Sequence, residues 1–230
     1  MLIDRISYRN SIKNINPIIK IFLAFIVLIL ILVTNNIELF IFNFIVANCI
    51  MLFIIKVKIK ELVQLYAIPM FFILTTIISI LWVKGDVTIF ILRSMTSISV
   101  VYTLICSTPI IDFDYVFYKL KFPKIFRELF LLIYKYIFVL FDVKNKLLDA
   151  QKSRLGYFKY KNSIKSFSIL AVSILRKTEY YSSSSYKAME SRLGKEFLFL
   201  HRKYDKIGKE LWLIYLILII NLFLVVKIYA

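Results

Sequence analysis

A seven-residue motif containing an arginine and ending in glycine occurs twice in this chain. The copies are AQKSRLG at Ala150–Gly156 and AMESRLG at Ala188–Gly194; they match at five of seven positions and are offset by 38 residues. An arginine side chain offers a planar fork of N–H donors that suits carboxylates and backbone carbonyls of a partner. Two copies in matching basic contexts therefore predict two matching contacts, made to a partner that is itself a dimer or a pair of homologues.

Each copy is predicted to end a helix. Glycine after a helix is the usual left-handed terminator because it has no Cβ to clash, so Gly156 and Gly194 should lie just past two helix ends. Arg154 and Arg192 then fall in the last turn, where the helix dipole favours a cation by roughly 0.3–1 kcal/mol. The guanidinium group is thus carried at the exposed end of a rigid rod.

Small and apolar residues accompany each arginine. Ala150 and Ala188 lie one turn earlier on the same helical face and let a partner approach closely. Leu155 and Leu193 provide an apolar anchor beside the charge. The alternative interpretation is that these are ordinary arginines beside a membrane. The predicted docking residues are Ala150, Ser153, Arg154, Gly156, Ala188, Ser191, Arg192 and Gly194.

The elements that must position these motifs are those of a membrane protein. The chain has 230 residues, 60% of them hydrophobic, and a mean hydropathy of +0.79, which is more apolar surface than a soluble domain can bury. A spanning helix needs about 20 mostly apolar residues. Five stretches are predicted to span: Ile21–Ile37, Leu39–Ile55, Leu62–Val83, Val87–Ile111 and Leu211–Val226. The predicted fold is therefore an all-α membrane protein with about five spanning helices.

Three details refine this topology. Asn16 and Pro17 predict the start of the first long helix, with Asn as cap and Pro in the first turn. Arg93 is the one charge within a predicted span, and a functional role and snorkelling to the membrane surface both stay open. Leu129–Phe141 is apolar but short, with Lys135 at its centre, so a helix along the interface is favoured over a sixth span.

The segment before the last span is predicted to be a set of helices. Phe113–Leu120 is a short amphipathic helix, Asp142–Gly156 a charged one, and the serine run Ser182–Ser185 continues a helix. The apolar side of Ile164–Leu175 consists of Ile164, Phe167, Leu170, Ala171 and Ile174. The predicted organisation is a membrane domain at 1–111, a cytoplasmic coupling-helix domain at 112–210 and a final transmembrane helix at 211–230.

The basic residues indicate the orientation in the membrane. The segment Asp112–Glu210 carries 21 of the 31 Lys and Arg residues, and the connection Asn35–Glu38 has none. Basic and basic-poor connections alternate along the chain, as the positive-inside rule requires. The N-terminus and the basic segment are therefore predicted to be cytoplasmic and the C-terminus outside. The net charge of +17 records this topology rather than a nucleic-acid partner.

Several kinds of chemistry are disfavoured by composition. The four glycines cannot form the G-x-x-x-x-G-K loop of an ATPase, and one histidine with two separated cysteines makes a poor transition-metal site. An enzyme acting on lipid would depend on Asp112 and Asp114, the only close acidic pair, which lacks an evident third partner. We therefore expect a non-catalytic protein without cofactor or bound metal. A scaffold that works without ATPases stays open as a second class.

The chain resembles the transmembrane T component of energy-coupling factor transporters, most closely the cobalt-type CbiQ branch. The most specific part of this resemblance is a pair of short Ala-Arg-Gly-like signatures of the family, which match Ala150–Gly156 and Ala188–Gly194. In both copies of this chain a leucine separates Arg from Gly. The similarity also includes the stretches Ile3–Arg5, Asn16–Lys20, Ser107–Phe113, Lys121–Pro123 and Leu132–Ile137.

The resemblance implies a function and partners. A T component of this kind couples two ATP-binding cassette ATPases to a small membrane protein that holds the substrate, with one arginine seated in a groove of each ATPase. It implies the cell membrane of a bacterium or archaeon as the location. In the cobalt branch the substrate protein takes cobalt or nickel, and a vitamin-type transporter is the alternative.

Overall fold

The computed structural model describes residues 2–10, 12, 15–83, 86–191 and 221, and within these residues it contains helices and no strand. A π-helical segment, Ile50–Ile54, extends the third helix, and a short 3-10 turn, Ile110–Asp112, precedes the sixth. The all-α prediction is confirmed. The helices are α1 (Leu2–Arg9), α2 (Pro17–Val33), α3 (Ile37–Cys49), α4 (Ile59–Val83), α5 (Val87–Ser107), α6 (Phe113–Lys119), α7 (Lys124–Ser153) and α8 (Tyr160–Ser191).

Four apolar helices coincide with the first four predicted spans. Three described stretches are long and apolar enough to cross a membrane, namely Ile37–Ile54, Ile59–Trp82 and Val87–Ser107, and Pro17–Val33 is a shorter apolar helix. The predicted span Leu211–Val226 lies outside the described residues except for Asn221, which is helical and buried. The chain is thus a membrane protein by the length and composition of its helices.

The starts of α2 and α3 follow from their sequences. The side-chain oxygen of Asn16 accepts a hydrogen bond from the backbone N–H of Ile18 at 3.0 Å, and Pro17 occupies the first turn of α2. Asn36 does the same for Glu38 at the start of α3, also at 3.0 Å. Each cap satisfies one of the backbone donors that a helix start leaves open, so the predicted start at Asn16–Pro17 is confirmed.

The described residues form two compact units. The first unit runs from the start of the chain to Val116 and includes Asn221, and the second begins at Phe117.

In the first unit α5 is joined to its neighbours by hydroxyl groups. Thr96 donates to the carbonyl of Phe40 at 3.1 Å, and the hydroxyl groups of Tyr66 and Ser99 lie 2.6 Å apart. Such hydrogen bonds hold helices together in lipid, where burial of apolar surface between helices does not favour their association. The buried core between α2, α3 and α5 consists of Ala24, Val27, Ile31, Leu39, Phe40, Ala47 and Val100.

The C-terminal end of α5 is capped by residues from the start of the chain. The amide of Asn10 donates to the carbonyl of Ser107 at 3.0 Å, and the ammonium group of Lys20 donates to the same oxygen at 2.9 Å. A helix leaves its last four carbonyls without intrahelical partners, and a cation is favoured at that end. The N-terminal segment therefore fastens the end of α5.

The second unit contains the two longest helices. The sequence predicted separate helices at Leu129–Phe141 and Asp142–Gly156, but α7 runs unbroken over 30 residues from Lys124 to Ser153. Neither Gly nor Pro occurs in this range, so a change from apolar to charged side chains leaves the backbone hydrogen bonds intact. The serine run Ser182–Ser185 continues α8, as predicted, and the short helix predicted at Phe113–Leu120 is α6. Helix α7, which contains the apolar stretch Leu129–Phe141, is not one of the described helices that are apolar enough to span a membrane.

Helices α7 and α8 form an antiparallel hairpin. Ser166 near the start of α8 donates to the carbonyl of Gly156 at 2.8 Å, and the hydroxyl of Tyr136 in the middle of α7 donates to Ser185 near the end of α8. Leu170 is 5% exposed, but Ile164 and Phe167 from the predicted apolar side are 53% and 65% exposed. Ala171 is also exposed and Ile174 is half-buried. The apolar side of this helix is thus only partly buried, while Ser166 contacts the turn after α7 and Ser185 contacts α7 itself.

Candidate docking site

The first copy of the duplicated motif forms the end of α7 and the turn towards α8. Helix α7 ends at Ser153, and Arg154 is its cap residue. The backbone N–H of Leu155 donates to the carbonyl of Lys152 at 3.0 Å, and the N–H of Gly156 donates to the carbonyl of Gln151 at 3.0 Å. These two bonds define a Schellman motif, in which the residue after the cap adopts the left-handed conformation.

The left-handed residue is Leu155, with φ 57°, and not Gly156. The prediction that Gly156 is the left-handed terminator is wrong because the helix ends one residue earlier than expected. Arg154 consequently occupies the cap rather than the last turn. A left-handed conformation costs a residue with a Cβ about 1–2 kcal/mol, so the leucine is held there against its preference by the two backbone hydrogen bonds.

Gly156 is required for space. A Cβ at this position would lie 2.7 Å from the Oγ of Ser166 and 2.9 Å from the carbonyl oxygen of Gln151. Both distances are shorter than any normal carbon contact, so α8 can approach the end of α7 only if residue 156 is glycine. The bond from Ser166 to the Gly156 carbonyl then fixes the turn.

The side chains around the turn leave its outer surface open. Leu155 is 69% exposed, and Arg154, Ala150 and Ser153 are exposed as well. On the inner side the hydroxyl of Tyr157 donates to the side-chain carbonyl of Gln151 at 2.9 Å. The arrangement presents a guanidinium group and an apolar side chain next to each other on a fixed backbone, which suits a recess with an apolar floor and acceptor groups at its edge.

A second Schellman motif in this unit ends α6. Lys121 has φ 58°, its N–H donates to the carbonyl of Tyr118 at 3.1 Å, and the N–H of Phe122 donates to the carbonyl of Phe117 at 3.0 Å. The rings of Phe117 and Phe122 contact each other at 5.3 Å between centroids, which is the apolar contact that often accompanies this motif. At the end of α7 the equivalent positions are Gln151 and Gly156, so that turn lacks the apolar contact.

The described part of the second motif copy repeats the geometry of the first. Ser191 Oγ donates to the carbonyl of Ala188 at 3.0 Å, as Ser153 Oγ does to the carbonyl of Ala150 at 3.0 Å. Ala188 and Ser191 are exposed, like their counterparts. Arg192 and Gly194 lie outside the described residues. The structure therefore brings Ala150, Ser153, Arg154 and Gly156 together at the end of α7, and of the second copy it places Ala188 and Ser191 in the last turn of α8.

The role of Arg93 is clarified by its contacts. Its guanidinium group donates to the carbonyl of Thr34 at 3.0 Å and to the side chain of Asn35, and it lies over the ring of Phe40 at 5.7 Å. The side chain thus reaches the connection between α2 and α3, where it satisfies the C-terminal end of α2. Of the two interpretations left open by the sequence, these contacts favour snorkelling towards the end of the span, and they give Arg93 a structural role there.

No group of three or more His, Cys, Asp or Glu residues converges among the described residues. Asp112 and Asp114, the acidic pair considered for lipid chemistry, are both buried near the start of α6.

Comparison with known proteins finds a family model that matches part of the chain. A model of the CbiQ cobalt transport protein family matches residues 87–198, which include α5 to α8 and both copies of the motif. The chain carries a CbiQ cobalt transport protein domain. The resemblance inferred from the motifs is confirmed over these residues.

Two relatives are similar to this chain. An uncharacterised protein of Methanocaldococcus jannaschii is 28% identical over 192 residues, which cover 74% of this chain and 72% of the relative. A putative fused cobalt transport protein CbiMQ of Methanocorpusculum labreanum is 34% identical over 100 residues, which cover 44% of this chain. The match spans 17% of that longer relative.

Proposed function

We propose that this CbiQ-type protein is the transmembrane coupling subunit of an energy-coupling factor importer. It would transmit the motions of two ATP-binding cassette ATPases to a separate membrane protein that binds the substrate. The observation that carries the proposal is the exposed Arg154 on a turn fixed by α7, α8 and Gly156, with a matching final turn at Ala188–Ser191. In this role the protein is a non-catalytic permease subunit.

The lengths of the hairpin helices support two separate docking points. At about 1.5 Å per residue, the 32 residues of α8 extend roughly 48 Å. The first motif copy lies at the turn before α8 and the second at the end of α8, so the two copies are separated by most of that length. A pair of large subunits can bind at such a distance without competing for the same surface.

The rigidity of the hairpin supports mechanical coupling. One hydrogen bond joins Ser166 of α8 to Gly156 in the turn after α7, and a second joins Tyr136 in the middle of α7 to Ser185 near the end of α8. Movement of an ATPase groove that holds Arg154 would therefore displace a whole helix rather than a loose loop. In this proposal the hairpin and the N-terminus face the cytoplasm, where ATP is available, and the C-terminus lies outside.

Cobalt is the substrate that we propose for the complete importer, with nickel as a close chemical alternative. The support is the cobalt transport family whose model matches residues 87–198 and the name of the relative from Methanocorpusculum labreanum, a putative fused cobalt transport protein. The ion would be held by the separate substrate-binding protein. A vitamin-type importer remains the alternative, and uptake of Co²⁺ by the reconstituted complex distinguishes the two.

The test is a charge reversal at both motif arginines. We expect Arg154→Glu combined with Arg192→Glu to remain in the membrane, to lose co-purification with the ATPases in mild detergent and to abolish ATP-dependent uptake. Arg176→Glu is the matched control, because Arg176 is an exposed arginine of α8 that lies between the two motif copies and outside both. Normal uptake and ATPase recovery by the double variant would overturn the proposal.

A further inference from the structure

Leu155 combines an unfavourable backbone conformation with a largely exposed side chain. Its φ of 57° is one that glycine adopts without penalty, and 69% of its surface is accessible. The fold itself gains little from this side chain, and a glycine would make the same two backbone hydrogen bonds without strain. A residue kept under such conditions at a proposed docking turn points to a contact outside the chain.

The duplicated motif supports the same conclusion independently. The second and third positions differ between the copies, with Gln151 replaced by Met189 and Lys152 by Glu190, so that even the charge reverses. The fifth and sixth positions are identical, with Leu155 and Leu193 following the arginines. The leucine is therefore repeated together with the arginine, whereas two exposed or half-buried helical positions before it are not.

We propose that Leu155 is a second docking residue, which inserts into an apolar pocket of the ATPase beside the groove that receives Arg154. This inference rests on the proposed coupling function. The Schellman bonds to Lys152 and Gln151 fix the Cα of Leu155 before binding, so little backbone freedom is lost when the complex forms. The cation gives orientation, and burial of the leucine gives affinity.

Lys121 offers a matched control for the backbone. It occupies the same position of a Schellman motif, with φ 58°, at the end of α6. Substitution of either residue by glycine relieves the same left-handed strain. Only Leu155→Gly removes a side chain from the docking turn, so a comparison with Lys121→Gly separates the side chain from the backbone.

The experiment measures binding of the full-length protein in detergent to the purified ATP-binding cassette ATPase of its own organism. We expect Leu155→Gly to weaken binding about 10- to 100-fold, which corresponds to loss of one buried leucine. Lys121→Gly should bind like the wild type, and Leu155→Met, which keeps an apolar side chain, should stay within a few-fold. The melting temperature of Leu155→Gly should equal or exceed that of the wild type.

The outcomes separate this inference from the proposed function. If Arg154→Glu loses binding but Leu155→Gly binds like the wild type, the leucine contact is refuted and the coupling function stands. If Lys121→Gly weakens binding as much as Leu155→Gly, the effect comes from the backbone and the inference also fails. If Arg154→Glu itself binds like the wild type, the proposed function fails.

Discussion

Tyr102 on α5 supplies the hydrogen bond that Pro69 removes from α4. Proline lacks the backbone N–H that would donate to the carbonyl of Leu65 one turn earlier. The hydroxyl of Tyr102 donates to that carbonyl at 2.8 Å. An unsatisfied carbonyl is costly where there is no water, so this contact explains how a proline is accommodated within a membrane-spanning helix.

Tyr102→Phe should therefore destabilise the protein by about 1–2 kcal/mol, because it leaves the Leu65 carbonyl without this donor while keeping the ring. In a Pro69→Ala background the helix supplies its own N–H, and the same substitution should cost less. Unfolding of the four proteins in detergent measures this coupling as a double-mutant cycle. Equal costs of Tyr102→Phe in both backgrounds would show that the two residues are not linked.

Gly156→Ala should loosen the hairpin. The added Cβ would meet the Oγ of Ser166 and the carbonyl of Gln151, and we expect a loss of about 1–3 kcal/mol. Adding Ser166→Ala should restore only part of that loss, because the contact with the Gln151 backbone remains. The measurement is the unfolding free energy together with proteolysis between α7 and α8. Wild-type stability of Gly156→Ala would contradict the close approach of α8.

Arg93→Met should lower stability by about 1–3 kcal/mol, because it removes the donors to Thr34 and Asn35 at the end of α2. If the role of Arg93 is structural, the folded fraction of this variant should support uptake at the wild-type rate per molecule. Arg93→Lys retains one charged donor and should show an intermediate loss of stability. A stable Arg93→Met protein without uptake would instead indicate a functional role.

Asn43 and Asn221 connect α3 to the C-terminal part of the chain. The amide of Asn43 donates to the side-chain oxygen of Asn221 at 2.6 Å, and both residues are buried. Asn43→Leu should cost about 0.6–2 kcal/mol, because it leaves the polar group of Asn221 without this donor in a membrane core. The double replacement by leucine should cost less than the sum of the single ones, as measured by unfolding in detergent. Strict additivity would exclude the coupling.

Local signals in the sequence were sufficient for most helices. Asn16 with Pro17 predicts a helix start because cap chemistry depends on neighbouring residues alone, and the short helix at Phe113–Leu120 is stopped by the following Pro123. The break expected between Phe141 and Asp142 does not exist. A switch from apolar to charged residues changes the surroundings of a helix and not its backbone hydrogen bonds.

The geometry of the docking turn depends on contacts between helices and on the position of a helix end, which the sequence does not reveal. Gly156 has the position of a left-handed terminator, but its need for a missing Cβ comes from Ser166, which lies on another helix. The left-handed conformation of Leu155 depends on where α7 ends, and a shift of one residue moves it from glycine to leucine. Periodicity likewise groups Ile164 with Phe167 on one face but does not say what that face contacts.

An ideal pair of antiparallel helices of similar length, like α7 and α8 with 30 and 32 residues, has a two-fold axis perpendicular to both. That axis exchanges their C-terminal ends, where the matching bonds from Ser153 to Ala150 and from Ser191 to Ala188 are found. A single asymmetric chain thereby offers local pseudo-symmetry. If the two ATPase subunits of the proposed function have the same symmetry, each would meet an equivalent surface, so one binding geometry would serve both.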